Sequence, residues 1–170
     1  MILSPHFDSS EFKCKCAKQC VANPDKELIE KLEKLFNQLD AKSIYITSGY
    51  RCPAHSSSPA VGGSSTDAHT KNIAADIVVY KKTGGQFTSD DIAEAAEIVG
   101  FSGIGIIDST AVHVDVRNSS NYVNSHWFGD ERTHNDYIKT FIRNKPKTKK
   151  TINVSLTFDD HTYSGLIEEE

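Results

Sequence analysis

The stretch DAHTKNIAADIVV, residues 67–79, sets one carboxylate, Asp76, inside an apolar strand-like run, with His69 seven positions upstream. A carboxylate on a buried strand is costly unless a cation or a metal neutralises it. Strand alternation places Ala74, Asp76 and Val78 on one face and Ala75, Ile77 and Val79 on the other. The same rule applied to AVHVDVR, residues 111–117, turns Val112, Val114 and Val116 one way and His113, Asp115 and Arg117 the other. If the two strands are neighbours, His69, Asp76 and His113 meet. Two imidazoles and a carboxylate around an open fourth position form a ligand set of catalytic zinc. The spacing is equally met by Asp76 paired with Arg51 or Arg117 and by histidines that are plain polar surface.

Working outward, NPDKELIEKLEKLFNQLD at 23–40 carries Leu28, Ile29, Leu32, Leu35, Phe36 and Leu39 on one helical face, with Asn23 as its N-cap before Pro24. SIYITSGY reads as a strand stopped by Gly49, and RCPAHSSSPAVGGSSTD as a long loop of the kind that is usually functional. TSDDIAEAAEIVG is a helix capped by Thr88 or Ser89 and ended by Gly100. GIGIID and AVHVDVR are close enough to form a hairpin, and THNDYIKTFIRN, 133–144, gives a final short helix. In the last twenty residues Ile152, Val154, Leu156 and Phe158 alternate with polar residues, which predicts a hairpin around Asp159, Asp160 and His161. Helices interspersed with strands point to an α+β fold. The expected organisation is a main domain over 1–144, a basic linker at 145–150 (KPKTKK) and a C-terminal hairpin over 151–170.

At 170 residues the chain has room for one well-cored domain. A net charge of −4 and a pI near 6.0 argue against a nucleic-acid or membrane-surface binder. No segment reads as a signal peptide or a membrane span, so synthesis in the cytoplasm is expected.

Three longer segments, ITSGYRCPAH, VGGSSTDAHTKNIAADIVV and GFSGIGIIDSTAVHVDVR, together resemble the zinc D-Ala-D-Ala carboxypeptidases and related peptidoglycan peptidases of the M15 type, many of them phage-encoded. The opening LSPHFDSSEFKCKC fits the same group, so the likeness runs over residues 3–143 in order. It implies the fold shared with the Hedgehog signalling domain, a small antiparallel sheet flanked by helices. It also implies zinc on His69, Asp76 and His113, with Arg51 beside the metal to hold a substrate carboxylate or a developing oxyanion. The implied activity is hydrolysis of stem-peptide amides, by a carboxypeptidase or an endopeptidase acting on the bacterial cell wall along a phage-supplied route.

The chain departs from the group at three places. Asn72 stands where relatives have Gly, and Asn tolerates positive φ best among the other residues. Asp67 replaces a common serine and either orients His69 or caps the loop. Thr110 stands where several relatives keep a catalytic acid, which leaves Asp115, on the His113 face, or Asp108 as the general base. Asp115 is the first choice; its alternatives are pairing with Arg117 or orienting a ligand. Tyr50 and Trp127 are candidate walls of the substrate cleft, or core filler, and His126 is wall or surface. Cys14, Cys16, Cys20 and Cys52 bind a second, structural zinc, form disulfides, or stay as thiols. The hairpin would pack on the domain, on another copy or on a phage protein. Two other function classes fit the same residues: a catalytically inactive zinc-bearing wall-binding module, and a structural protein of the phage particle.

Overall fold

The computed structural model describes residues 1–58, 63–64, 66–117 and 126–143, with the backbone of 151–158 and 161–168. Its frame is a five-stranded sheet built from β3 (Ala41–Ser48), β4 (Ala74–Lys81), β5 (Gly103–Ile106), β6 (Ala111–Asp115) and β7 (Trp127–Asp130), in the order β3-β4-β6-β5-β7. Two helices, α1 (Lys26–Gln38) and α3 (Ser89–Val99), pack against β3 and β5 and against each other. The alternation of the central strands explains this layering. Ile77, Val79, Val112, Val114, Ile104 and Ile106 enter a core with Leu28, Leu32, Leu35 and Ile92 of the helices, and their burial supplies the main driving force for folding. The fold is α+β, as the sequence indicates.

An N-terminal pair, β1 (Ile2–Ser4) and β2 (Phe7–Asp8), leads into a single 3₁₀ turn, Ser9–Phe12. Asp8 caps this turn by accepting the Ser10 N–H, and Glu11 reaches back to the Asp8 N–H. The loop after Arg51 contains one helical turn, α2 (Pro53–Ser56). α3 follows its expected signals, with Thr88 accepting the Asp91 N–H and Gly100 closing the end at φ +92°. β8 (Thr151–Phe158) and β9 (His161–Glu168) pair antiparallel from Thr151↔Glu168 to Phe158↔His161, so the C-terminal hairpin forms. The linker 145–150 and the turn residues Asp159 and Asp160 lie outside the described residues.

The structure corrects three expectations. The cap of α1 is Asp25, not Asn23: its carboxylate accepts the Glu27 N–H at 2.8 Å, while its own N–H donates to the Asn72 carbonyl at 2.8 Å. The second bond ties residue 25 to the β4 lead-in and keeps it out of the helix. The sheet is mixed, because β7 pairs parallel to β5, from Gly103↔Trp127 to Ile106↔Asp130. No helix forms in the described part of 133–144. The amides of Phe141 and Ile142, which a helix would pair internally, donate instead to Glu97 of α3, and Ile138 N–H donates to the Phe128 carbonyl. Tertiary partners override the local periodicity there.

Candidate active site

The sheet register builds one row across five residues. Ser48 faces Asp76, Asp76 faces His113, His113 faces Gly105 and Gly105 faces Gly129. The row lies on the face away from the helices, so the histidine and carboxylate emerge where the sheet is not covered by α1 and α3. Its two glycines make a trough. A Cβ at Gly105 would meet the Trp127 ring at 2.9 Å, and one at Gly129 would meet the same ring at 2.5 Å, so the indole lies flat over the bare backbone. The centroid of Trp127 is 6.3 Å from that of His113. Among the described residues, the resulting cleft of about 540 Å³ is lined by His69, Asp76, His113, Arg51, Arg117 and Trp127, with Asp67 and Glu131 at its margin.

His69 arrives from the loop before β4, which bends at Asn72 with φ +62°. Its Nδ1 sits 2.7 Å from the Gly49 carbonyl, which can only accept, so Nδ1 carries the proton and Nε2 turns its lone pair inward. His113 is held in the complementary way. Its Nε2 is 3.0 Å from Asp115 and its Nδ1 faces the centre. The three inward atoms are close-set: His69 Nε2 to His113 Nδ1 3.2 Å, His113 Nδ1 to Asp76 Oδ1 2.9 Å, and His69 Nε2 to Asp76 Oδ1 3.2 Å.

A tetrahedral ion with bonds of about 2.0–2.1 Å separates its donors by about 3.3 Å, so the three atoms match such an ion in spacing as well as in type. Each imidazole also gives its outer N–H to a carbonyl or carboxylate, the arrangement that fixes tautomer and aim in metal-binding histidines. The residues present therefore fit a zinc ion. The two sequence alternatives for Asp76 prove compatible, because Arg51 Nη2 takes Oδ2 while the histidines share Oδ1.

Electrostatics follow from burial and pairing. Burial pushes the Asp76 carboxyl upward, but hydrogen bonds with His113 and His69 outweigh it and hold the group well below the carboxylate range. Burial opposes the charged form of His113, and Asp115 and Asp76 reverse that, raising it to about 9. Without metal, the centre keeps its charge balance by retaining a proton on His113.

Asp115 is fully buried. Its carboxylate accepts from His113 Nε2, from the Arg117 backbone N–H at 3.0 Å and from Arg117 Nε at 2.9 Å. It rests on Gly103, where a Cβ would fall on the carboxylate. Burial pushes its carboxyl upward, and the His113 and Arg117 hydrogen bonds pull it well below the ordinary range. Asp115 thus stands behind His113, on the side away from the three inward donors. Asp108 is occupied in the β5–β6 turn, where it accepts the Thr110 and Ala111 N–H groups at 2.7 and 2.8 Å. Trp127 walls the cleft and Arg117 lies over its ring at 5.3 Å. Tyr50 is not among the cleft-lining residues; it stands against the cysteine cluster. His126 stacks on Phe128, 5.2 Å between centroids.

Glu131 was not expected in the cleft. The signal available was its place just past β7, whose pairing with β5 no sequence pattern discloses. The other marginal carboxylate, Asp67, is engaged by Ser56 Oγ and the Thr70 N–H.

The peptidase M15 family model matches residues 5–115, more than half of the chain. The chain belongs to the peptidase M15 family. Searches among curated proteins and among solved structures gave no match. The match spans all three inward-facing donors and Arg51, and it ends at Asp115, before β7. This peptidase is accordingly a hydrolase with a peptide substrate, and no described helix is long and apolar enough to cross a membrane.

Proposed function

We propose that this M15 peptidase is a zinc enzyme that hydrolyses amide bonds in bacterial peptidoglycan stem peptides, with the terminal D-Ala-D-Ala bond as its preferred target. One observation carries the zinc reading: His69 Nε2, His113 Nδ1 and Asp76 Oδ1 converge within 3.2 Å of one another with both imidazole tautomers fixed from behind. Zinc held there supplies a Lewis acid that activates water and polarises the amide carbonyl. Preference for a chain terminus rests on the guanidinium of Arg51 in the cleft. Arg51 spends Nε on Ser48 and Nη2 on Asp76, leaving Nη1 to bind a substrate carboxylate or the oxyanion. The Trp127 face packs against the substrate's apolar part.

Proton transfer falls to Glu131. Of the cleft carboxylates, Asp76 faces the metal and Asp67 is engaged, and residues 59–62 and 118–125 contain no acidic side chain. Glu131 takes a proton as the water oxygen adds to the carbonyl carbon, and returns it to the nitrogen as the C–N bond breaks. Asp115 acts through His113, as the acceptor that sets its tautomer and aim. Resemblance to phage-encoded wall peptidases supports action on the cell wall after phage-supplied delivery.

The test is zinc content by elemental analysis alongside peptidoglycan digestion read by mass spectrometry, before and after chelation and zinc restoration. Chelator-sensitive release of D-Ala supports the proposal, and internal cleavage would redirect it to an endopeptidase. Bound zinc with no product from several wall types would refute hydrolysis and favour a wall-binding module, the reading that Thr110 at the usual acid position favours.

A further inference from the structure

The cysteines form a second constellation away from the cleft. Cys14, Cys16 and Cys52 bring their Sγ atoms within 4.8 Å of one another, and Cys20 Sγ lies 3.6 Å from Cys16. Cys16 links the group, standing with Cys14 and Cys52 on one side and against Cys20 on the other. A disulfide requires about 2.05 Å between sulfurs. Four thiolates around a tetrahedral zinc, with Zn–S bonds of about 2.3 Å, are separated by about 3.8 Å. The 3.6 Å contact matches the second geometry. Backbone amides point at the sulfurs as well: Cys52 N–H donates to Cys14 Sγ at 3.3 Å, Cys16 N–H to Cys14 Sγ, and Cys20 N–H to Cys16 Sγ. The chain between Cys16 and Cys20 is folded into a turn, with Gln19 N–H donating to the Cys16 carbonyl at 2.8 Å and φ +45° at Gln19.

We infer that Cys14, Cys16, Cys20 and Cys52 hold a structural zinc ion, separate from the His69, Asp76 and His113 group, that clamps the N-terminal segment onto the base of the cleft. Binding releases the thiol protons to solvent and changes no oxidation state. The clamp bears on chosen positions. Cys52 follows Arg51 directly. Tyr50 N–H donates to the Phe12 carbonyl at 2.9 Å, and Gly49, whose Cβ would meet Phe12 Cα at 2.6 Å, presents the carbonyl that sets the His69 tautomer. Fixing Cys14 to Cys52 therefore holds residues 49–52, and with them Arg51 and His69. Burial of one cysteine in apolar packing would explain Cys14 alone; it does not bring three sulfurs from two segments within 4.8 Å of one another, with the fourth 3.6 Å from Cys16.

The inference stands apart from the hydrolytic reading, and its test uses metal and sulfur readouts alone. The full chain, kept reduced, is loaded with cobalt(II), whose bonds to thiolate give an intense near-ultraviolet charge-transfer band that His and Asp ligands do not. The expected result is that band in the unmodified protein, a second zinc equivalent by elemental analysis, and protection of all four cysteines from alkylation until a chelator is added. Cys16→Ser should lose the band and one metal equivalent while the equivalent held by His69, Asp76 and His113 remains. Should Cys16→Ser fail to fold, the unmodified protein still decides. Absence of the band with rapid alkylation at all four positions in the metal-loaded protein would overturn the inference. So would disulfides found by non-reducing mass spectrometry in the protein as isolated.

Discussion

Replacing Asp115 by Asn separates the two tasks a carboxylate at this position could have. The asparagine keeps the shape but offers one acceptor oxygen and one amide donor, where the carboxylate now accepts from His113 Nε2 and from three points of Arg117. Whichever oxygen the amide nitrogen replaces, it must therefore face two of these donors with donors of its own. Charge-assisted hydrogen bonds contribute about 1.5–3 kcal/mol each, and breaking a buried ion pair costs about 3–5 kcal/mol. Two such bonds are lost here, so the metal-free protein should lose about 3–5 kcal/mol of stability in urea unfolding. Loss of the partner that aims a metal-binding histidine should weaken zinc about 10–100-fold, measured by competition with a chromophoric chelator. At saturating zinc, turnover should return to within about tenfold of the unmodified enzyme. Loss of a general base instead costs about 10²–10⁴ in rate. Unchanged zinc affinity with a rate loss in that range at saturating metal would refute the orienting role and make Asp115 the base.

Alanine at His69, Asp76 or His113 should each remove one zinc equivalent and all hydrolysis, while full occupancy by elemental analysis would overturn the ligand set. Glu131→Gln should leave zinc content unchanged and lower kcat by about 10²–10⁴, and an unaltered kcat would return the proton to another group. Zinc competes with the proton that His113 holds up to about 9, so zinc affinity should climb as pH rises toward that value, about tenfold per unit. Stability of the metal-free protein should respond oppositely at the two ends. The His113 contribution is complete below its ordinary 6.5 and is lost as pH rises through about 9, whereas Asp76 and Asp115, both held low, contribute above about pH 4 and lose that as acid protonates them. Urea midpoints across pH with metal removed check both limbs. Gly105→Ala should push the Trp127 ring off its trough and raise KM more than it lowers kcat, read from stem-peptide kinetics.

Much of this site was legible because it lies on strands. Alternation alone put Asp76 and His113 on faces opposite the large apolar side chains, whereas the β4–β6 pairing that joins them is fixed only by the sheet order. It also put Asp115 and Arg117 on the face of His113, and the pairing of the two, one of the alternatives the sequence offered for Asp115, is what forms. The N-cap of α1 slipped from Asn23 to Asp25 because a bond to Asn72, distant in sequence, decides where the helix begins. The segment after Thr133 carried helical spacing, yet the Glu97 carboxylate claims its amides. The GIGI strand held a signal that could have been used: glycines two apart on the metal face announce something large lying over them, here Asp115 on Gly103 and Trp127 on Gly105.

The parallel pairing of β7 with β5 has a further consequence for how such an enzyme can be altered. The three inward donors come wholly from β4, β6 and the loop before β4, inside the region the family model matches, while Trp127 on edge strand β7 and Glu131 just past it lie beyond that region. The three inward donors and one wall of the cleft are thus written on separate lengths of chain, joined along β5 and again at α3. An exchange of the segment from residue 118 to residue 143 between relatives would transplant Trp127 and Glu131 together and leave the three inward donors untouched, so a new cleft wall would arrive with its own proton carrier.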